Sequence, residues 1–138
     1  MLKSGGVFAR FADHPYYNKN GQEALFVEME KVYAEHMPDK RPSPNPKPFL
    51  EYNEENAIHR SNIATRYGLI DISHKLYYRT ITYTSDDYIK RIAIQSDKIA
   101  LEESKKEKLY RGIKAAIDNY GGRITIYDTI DLNLAKKP

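Results

Sequence analysis

The chain has no cysteine and no tryptophan, and only seven of its 138 residues are glycine. Without cysteine there is no disulfide, no thiolate zinc site and no cysteine nucleophile, and a cytoplasmic location is the expectation. No apolar run approaches the roughly 20 residues that cross a bilayer, and no basic segment followed by an apolar one opens the chain, so no membrane partner is expected. An excess of one charge is missing too. Lys and Arg number 22 against 19 Asp and Glu, a formal +3 that is too weak a bias to require nucleic acid. His36, His59 and His74 are too far apart for metal-ligand spacing, and neither HxxxH nor HExxH occurs, so no metal is expected.

What is present suits one domain over 1–138 built from alternating strands and helices. Leu2-Lys3-Ser4-Gly5-Gly6 has the form of a helical last turn closed by glycine, and Val7 to Ala12 reads as a strand ended by Asp13-His14-Pro15. Gln22 to Met37 carries Leu25, Met29, Val32 and Tyr33 at helical spacing. Five of the seven prolines fall between Pro38 and Pro48, a stiff connector within the domain. Asn53 is the expected N-cap of a helix to about Tyr67, stopped at Gly68. Leu69 to Thr82 reads as a long strand with Ile70, Ile72, Leu76 and Tyr78 on one side. Thr84 with Asp87 caps a short helix. Glu102-Glu103-Ser104 starts another helix, with Leu109, Ile113, Ala116, Ile117 and Tyr120 as its buried stripe, and Gly121-Gly122 ends it. In the final strand Ile124, Ile126, Ile130, Leu132 and Leu134 share the expected core face, opposed by Thr125, Tyr127, Thr129, Asp131 and Asn133. Asp128 interrupts the apolar side, so a bulge, a partner or a marginal position is expected there.

Four stretches in this order resemble the C-terminal half of class I S-adenosylmethionine-dependent methyltransferases acting on small molecules. Leu2-Lys3-Ser4-Gly5-Gly6-Val7-Phe8-Ala9 looks like the family's LKPGG lead into its fifth strand. Tyr83-Thr84-Ser85-Asp86-Asp87-Tyr88 is similar to the cap after the sixth. Ser96-Asp97 with Ile99-Ala100-Leu101 resembles the stretch that follows, and Tyr120-Gly121-Gly122-Arg123-Ile124-Thr125 the turn into the seventh. The resemblance implies an α/β fold: the C-terminal remnant of a Rossmann-like sheet, with a small mixed three-stranded sheet in the order 5-7-6 and about four helices.

The resemblance also implies where function resides. S-adenosylmethionine serves the intact family, yet its glycine-rich strand-turn-helix and ribose-holding acid match nothing here, so this chain alone is expected neither to bind it nor to be active. The acceptor side nominates Asp13, His14, Tyr16, Tyr17 and Tyr88 as substrate-binding residues. His14 beside Asp13 has the composition of a general base, although Asp-His-Pro is more often a plain turn. The alternative class is a non-catalytic interaction or oligomerisation module. An open edge on the first strand would pair with a second copy or with a complementary N-terminal half. The lysine-rich face of the last helix, interleaved with glutamates, reads as a solvated face rather than a nucleic-acid surface.

Overall fold

The computed structural model describes residues 2–37, 50–95 and 100–138. The proline connector 38–48, and with it Ser96, Asp97 and Ile99 of the third resembling stretch, lie outside the described residues. In chain order the elements are β1 (Val7–Tyr16), α1 (Glu23–His36), α2 (Glu54–Asn62) continued by a 3-10 turn (Ile63–Tyr67), β2 (Ile70–Thr84), α3 (Ser85–Ala93), α4 (Glu103–Asn119) and β3 (Arg123–Lys136). The sheet order is β1-β3-β2, with the last strand between the first two. The expected order of first, last and second strand is therefore found. The sheet is antiparallel throughout, however, and not mixed. β1 and β2 run in the same direction, but β3 separates them, so no two neighbours are parallel.

β1 is longer than its sequence suggests. Asp13-His14-Pro15 does not break it, and the pairing with β3 runs unbroken from Val7 opposite Lys136 to Tyr16 opposite Tyr127. β1 lies at the sheet's edge, where a residue without an N–H is tolerated because one side of the strand has no ladder to complete. Before it, Ser4 and Gly5 form a turn rather than a helix end: Gly6 N–H donates to the Lys3 carbonyl and Gly5 N–H to that of Lys137, at 2.9 and 2.8 Å.

The helix boundaries follow from their caps. Asn53 accepts from Asn56 N–H and Asn56 returns the bond to Asn53 N–H, both at 3.0 Å, a reciprocal cap that satisfies two orphan donors. Gly68 closes the following turn at φ 73°, a left-handed conformation that costs a residue with a Cβ. Thr84 Oγ1 accepts from Asp87 N–H at 3.2 Å and starts α3.

The described residues divide into two compact units. One takes in 17–37, 81–95 and 100–126, and its core is apolar: Leu25 and Met29 of α1, Ile92 of α3, Leu109, Ile113 and Ile117 of α4, and Ile124 and Ile126 of β3. Tyr120 is half exposed and not part of the stripe of α4. Basic residues of α4 are paired: Lys106 with Glu103, Arg111 with Glu107, and Lys114 with Asp86 at 2.9 Å and Asp118 at 3.5 Å. Ser85 Oγ donates to Asp118 Oδ1 at 2.7 Å, fixing the start of α3 to the end of α4.

The other unit comprises 2–16, 50–80 and 127–138, and its interior is different. Its buried residues are Ala57 and Ser61 of α2 and Asp128, Thr129, Asp131, Asn133 and Ala135 of β3. Along β3 the buried positions are even-numbered up to Asp128 and odd-numbered from Thr129 on. The expectation that Ile130, Leu132 and Leu134 face the core is thus corrected. They are only half buried, and Asp131 and Asn133 on the opposite face are the covered residues. Asp128 has the partner its burial demands, for Arg79 of β2 reaches its Oδ2 with Nη2 at 2.8 Å and Nε at 3.2 Å. On β2, Tyr78 is 75% exposed, against the expectation that it shares a covered side with Leu76.

Candidate ligand site

The pairing register explains how a polar interior forms. Residues directly opposite in an antiparallel ladder share a face. Arg10 lies opposite Asn133, Ala12 opposite Asp131 and His14 opposite Thr129, so these side chains project to one side of the sheet. Helix α2, its 3-10 continuation and Tyr52 lie on that side.

Asp131 is the centre of the arrangement. Its carboxylate is 1% exposed. One oxygen accepts from the Tyr52 hydroxyl at 2.6 Å and the other from Asn133 Nδ2 at 2.7 Å. A buried carboxylate is tolerable only when its lone pairs are met in this way. The arrangement also orients Asn133. Because a carboxylate only accepts, it must face the NH2 end of the amide, which turns Oδ1 away from it. That Oδ1 is buried and makes no hydrogen bond among the described residues, and the same holds for Ser61 Oγ.

Tyr52 stacks face to face on His14, with ring centroids 3.6 Å apart and planes within 1°. Its hydroxyl also receives the Arg60 side chain. Burial, then the bond to Asp131, pushes the Tyr52 phenol up to about 12, with Arg60 opposing the shift. His14 is held below its ordinary value, chiefly by burial, with Arg60 and Arg10 acting in the same direction and Asp131 and Asp13 against it. A buried, unpartnered Nε2 gives the reason, since an imidazolium there would have nothing to donate to. His14 is therefore a neutral ring at pH 7.

Beside this cluster is a cavity of about 610 Å³, within the range typical of small-molecule sites. Apolar side chains such as Phe8, Ile63, Leu69 and Ala135 form most of its wall, and Arg10, Arg60, Ser61 and Asn133 are its polar members. It can enclose a largely apolar molecule and meet a few polar groups at fixed points.

The five residues nominated from the sequence are not brought together. His14 belongs to the polar cluster but does not line the cavity. Tyr16 is half buried on the same face of β1, and Asp13 is exposed on the other face. Tyr17 and Tyr88 lie in the apolar core of the other unit, where burial raises both phenols above their ordinary value. Sequence reasoning missed Arg10, Tyr52, Arg60, Ser61, Asp131 and Asn133. One signal was available. The polar side of β3 consists of Thr129, Asp131 and Asn133, short hydrogen-bonding residues, where a solvated strand face more often carries Lys or Glu.

The donors for a methyl-donor nucleotide do not fit at either glycine pair. Gly5 and Gly6 N–H are both committed to backbone carbonyls, and Gly122 N–H donates to Ile117 at 2.9 Å, so neither turn offers the cluster of free donors that cradles such a group. No protein-family model matches the chain, and no curated protein matches it.

Proposed function

We propose that the chain is the acceptor-facing part of a small-molecule methyltransferase of the class I S-adenosylmethionine-dependent type, and that the 610 Å³ cavity receives the methyl acceptor. The observation that carries this reading is the position of β3 between β1 and β2 and antiparallel to both. The order of the three strands, though not the mixed character expected of the sheet, is what the resemblance implies for the last three strands of the family. The chain's part in the reaction is to enclose and orient the acceptor, since holding reactants in line supplies much of the rate in transfers of this kind. The methyl donor is the task of a complementary segment. Isothermal titration of this chain with S-adenosylmethionine tests the division of labour: no binding is expected at micromolar concentration, and micromolar affinity overturns it.

A second reading, an interaction or oligomerisation module without catalysis, is favoured by one observation. The sheet face opposite the polar cluster is apolar and largely open: Phe11 is 76% and Val7 55% exposed. Phe11 lies opposite the half-buried Leu132 in the ladder. This face lies on the edge strand, whose outer side pairs with no strand among the described residues.

A further inference from the structure

We propose that the cavity binds an apolar-bodied carboxylic acid bearing a hydroxyl group, held at its carboxylate by Arg10 and Arg60 and at its hydroxyl by Asn133 and Ser61. This deepens the acceptor reading and rests on it for the fate of the ligand, but binding itself needs no methyl donor.

Three features of the cavity select this class. The wall is mainly apolar, through Phe8, Ile63, Leu69 and Ala135, so the body of the ligand is apolar. Two guanidinium groups line the same space, and neither has a carboxylate partner among the described residues. Two such forks, which donate in pairs to planar anions, call for a carboxylate. The third feature is the pair of buried, unsatisfied polar atoms. Asn133 and Ser61 are 8% and 4% exposed, and Asn133 Oδ1 and Ser61 Oγ have no partner. Asn133 Oδ1 can only accept, because Asp131 holds its amide nitrogen at 2.7 Å. A hydroxyl is the one simple group with the chemistry for both, donating to Asn133 Oδ1 and accepting from the Ser61 hydroxyl. An ammonium group could donate to both oxygens but would leave the Ser61 O–H without an acceptor, which favours a hydroxy acid over an amino acid.

The test is calorimetric titration of the full chain with 3-(4-hydroxyphenyl)propionate, with 3-phenylpropionate, which lacks the hydroxyl, and with 3-(4-hydroxyphenyl)propionamide, which lacks the charge. The hydroxy acid is expected to bind, each omission is expected to weaken binding about tenfold, and the Asn133 side-chain amide resonances are expected to shift on binding. Arg10→Gln should weaken the acid but not the amide. If that variant does not fold, the three ligands on the unaltered chain still decide. No binding of the hydroxy acid at millimolar concentration, or equal affinity for acid and amide, overturns the proposal. Equal affinity for the acid with and without hydroxyl also overturns it, since water then serves Asn133 and Ser61. Binding of the hydroxy acid without methylation by the complemented protein upholds the ligand class and refutes only the methyltransferase reading.

Discussion

At the scale of single residues, His14 couples the polar cluster to pH. Its folded-state value lies below the ordinary 6.5, so between the two values the unfolded chain binds more protons than the folded one. Stability from this group is therefore present above pH 6.5 and lost as pH falls through the lower, folded-state value. Urea unfolding at pH 7 and pH 5.5 should show the loss, and His14→Phe, which keeps the stack on Tyr52 but cannot titrate, should flatten it. A slope unchanged in His14→Phe would show that other groups set the acid limb. Tyr52 has the opposite sign, contributing stability below its ordinary value of 10 that is lost as pH rises toward about 12. His14 was visible in the sequence as an unusual residue at a strand's end, but its environment was not. The partners that define it, Tyr52 and Asp131, are 38 and 117 residues away in the chain, and only the register with β3 brings them together.

At the scale of elements, Gly112 shows how a helix interior can be chosen for its neighbour. It lies in the middle of α4, where glycine is less favourable than alanine by about 1 kcal/mol. A Cβ built there would meet Val32 Cγ1 of α1 at 2.8 Å. Val32 is β-branched and stiff about χ1 in a helix, so the clash is not relieved by a simple rotation. Gly112→Ala is expected to destabilise the chain by about 1–2 kcal/mol despite the better propensity, and Val32→Ala in the same chain should recover most of it. Chemical denaturation of the single and double variants measures this, and a stabilised single variant would show that α1 moves aside at no cost. Most elements were legible from the sequence because their caps are local chemistry: Asn53, Thr84 and the glycines at 68 and 121 act within a turn of themselves. β3 was legible as a strand but not in its orientation. Alternation gives two faces, and the apolar one is the default choice for the interior. Here α2 supplies Ala57, Arg60 and Ser61 to the polar face instead, a tertiary fact with no trace in the period of two.

At the scale of the whole molecule, the unit containing β1 covers its polar sheet face and leaves apolar residues in the open. Phe11, Val7 and Leu132 lie on the uncovered side, and under the proposed readings this is where association would occur. β1 is an edge strand among the described residues, so under either proposed reading a second copy or a complementary segment would be held by backbone as well as side chains. Both functional readings need this surface, the methyltransferase to join its donor-binding part and the interaction module to bind its partner. Sedimentation of the chain alone should therefore show self-association that rises with concentration. Phe11→Lys, at a residue already 76% exposed, should shift the chain toward monomer without loss of helical content. A wild-type chain that stays monomeric at millimolar concentration would show that the exposed face does not drive self-pairing, and a Phe11→Lys variant as associated as the wild type would place the contact elsewhere. Because Phe11 and the ligand cavity lie on opposite faces of β1, the same variant should leave binding of the hydroxy acid unchanged, which separates assembly from recognition in one protein.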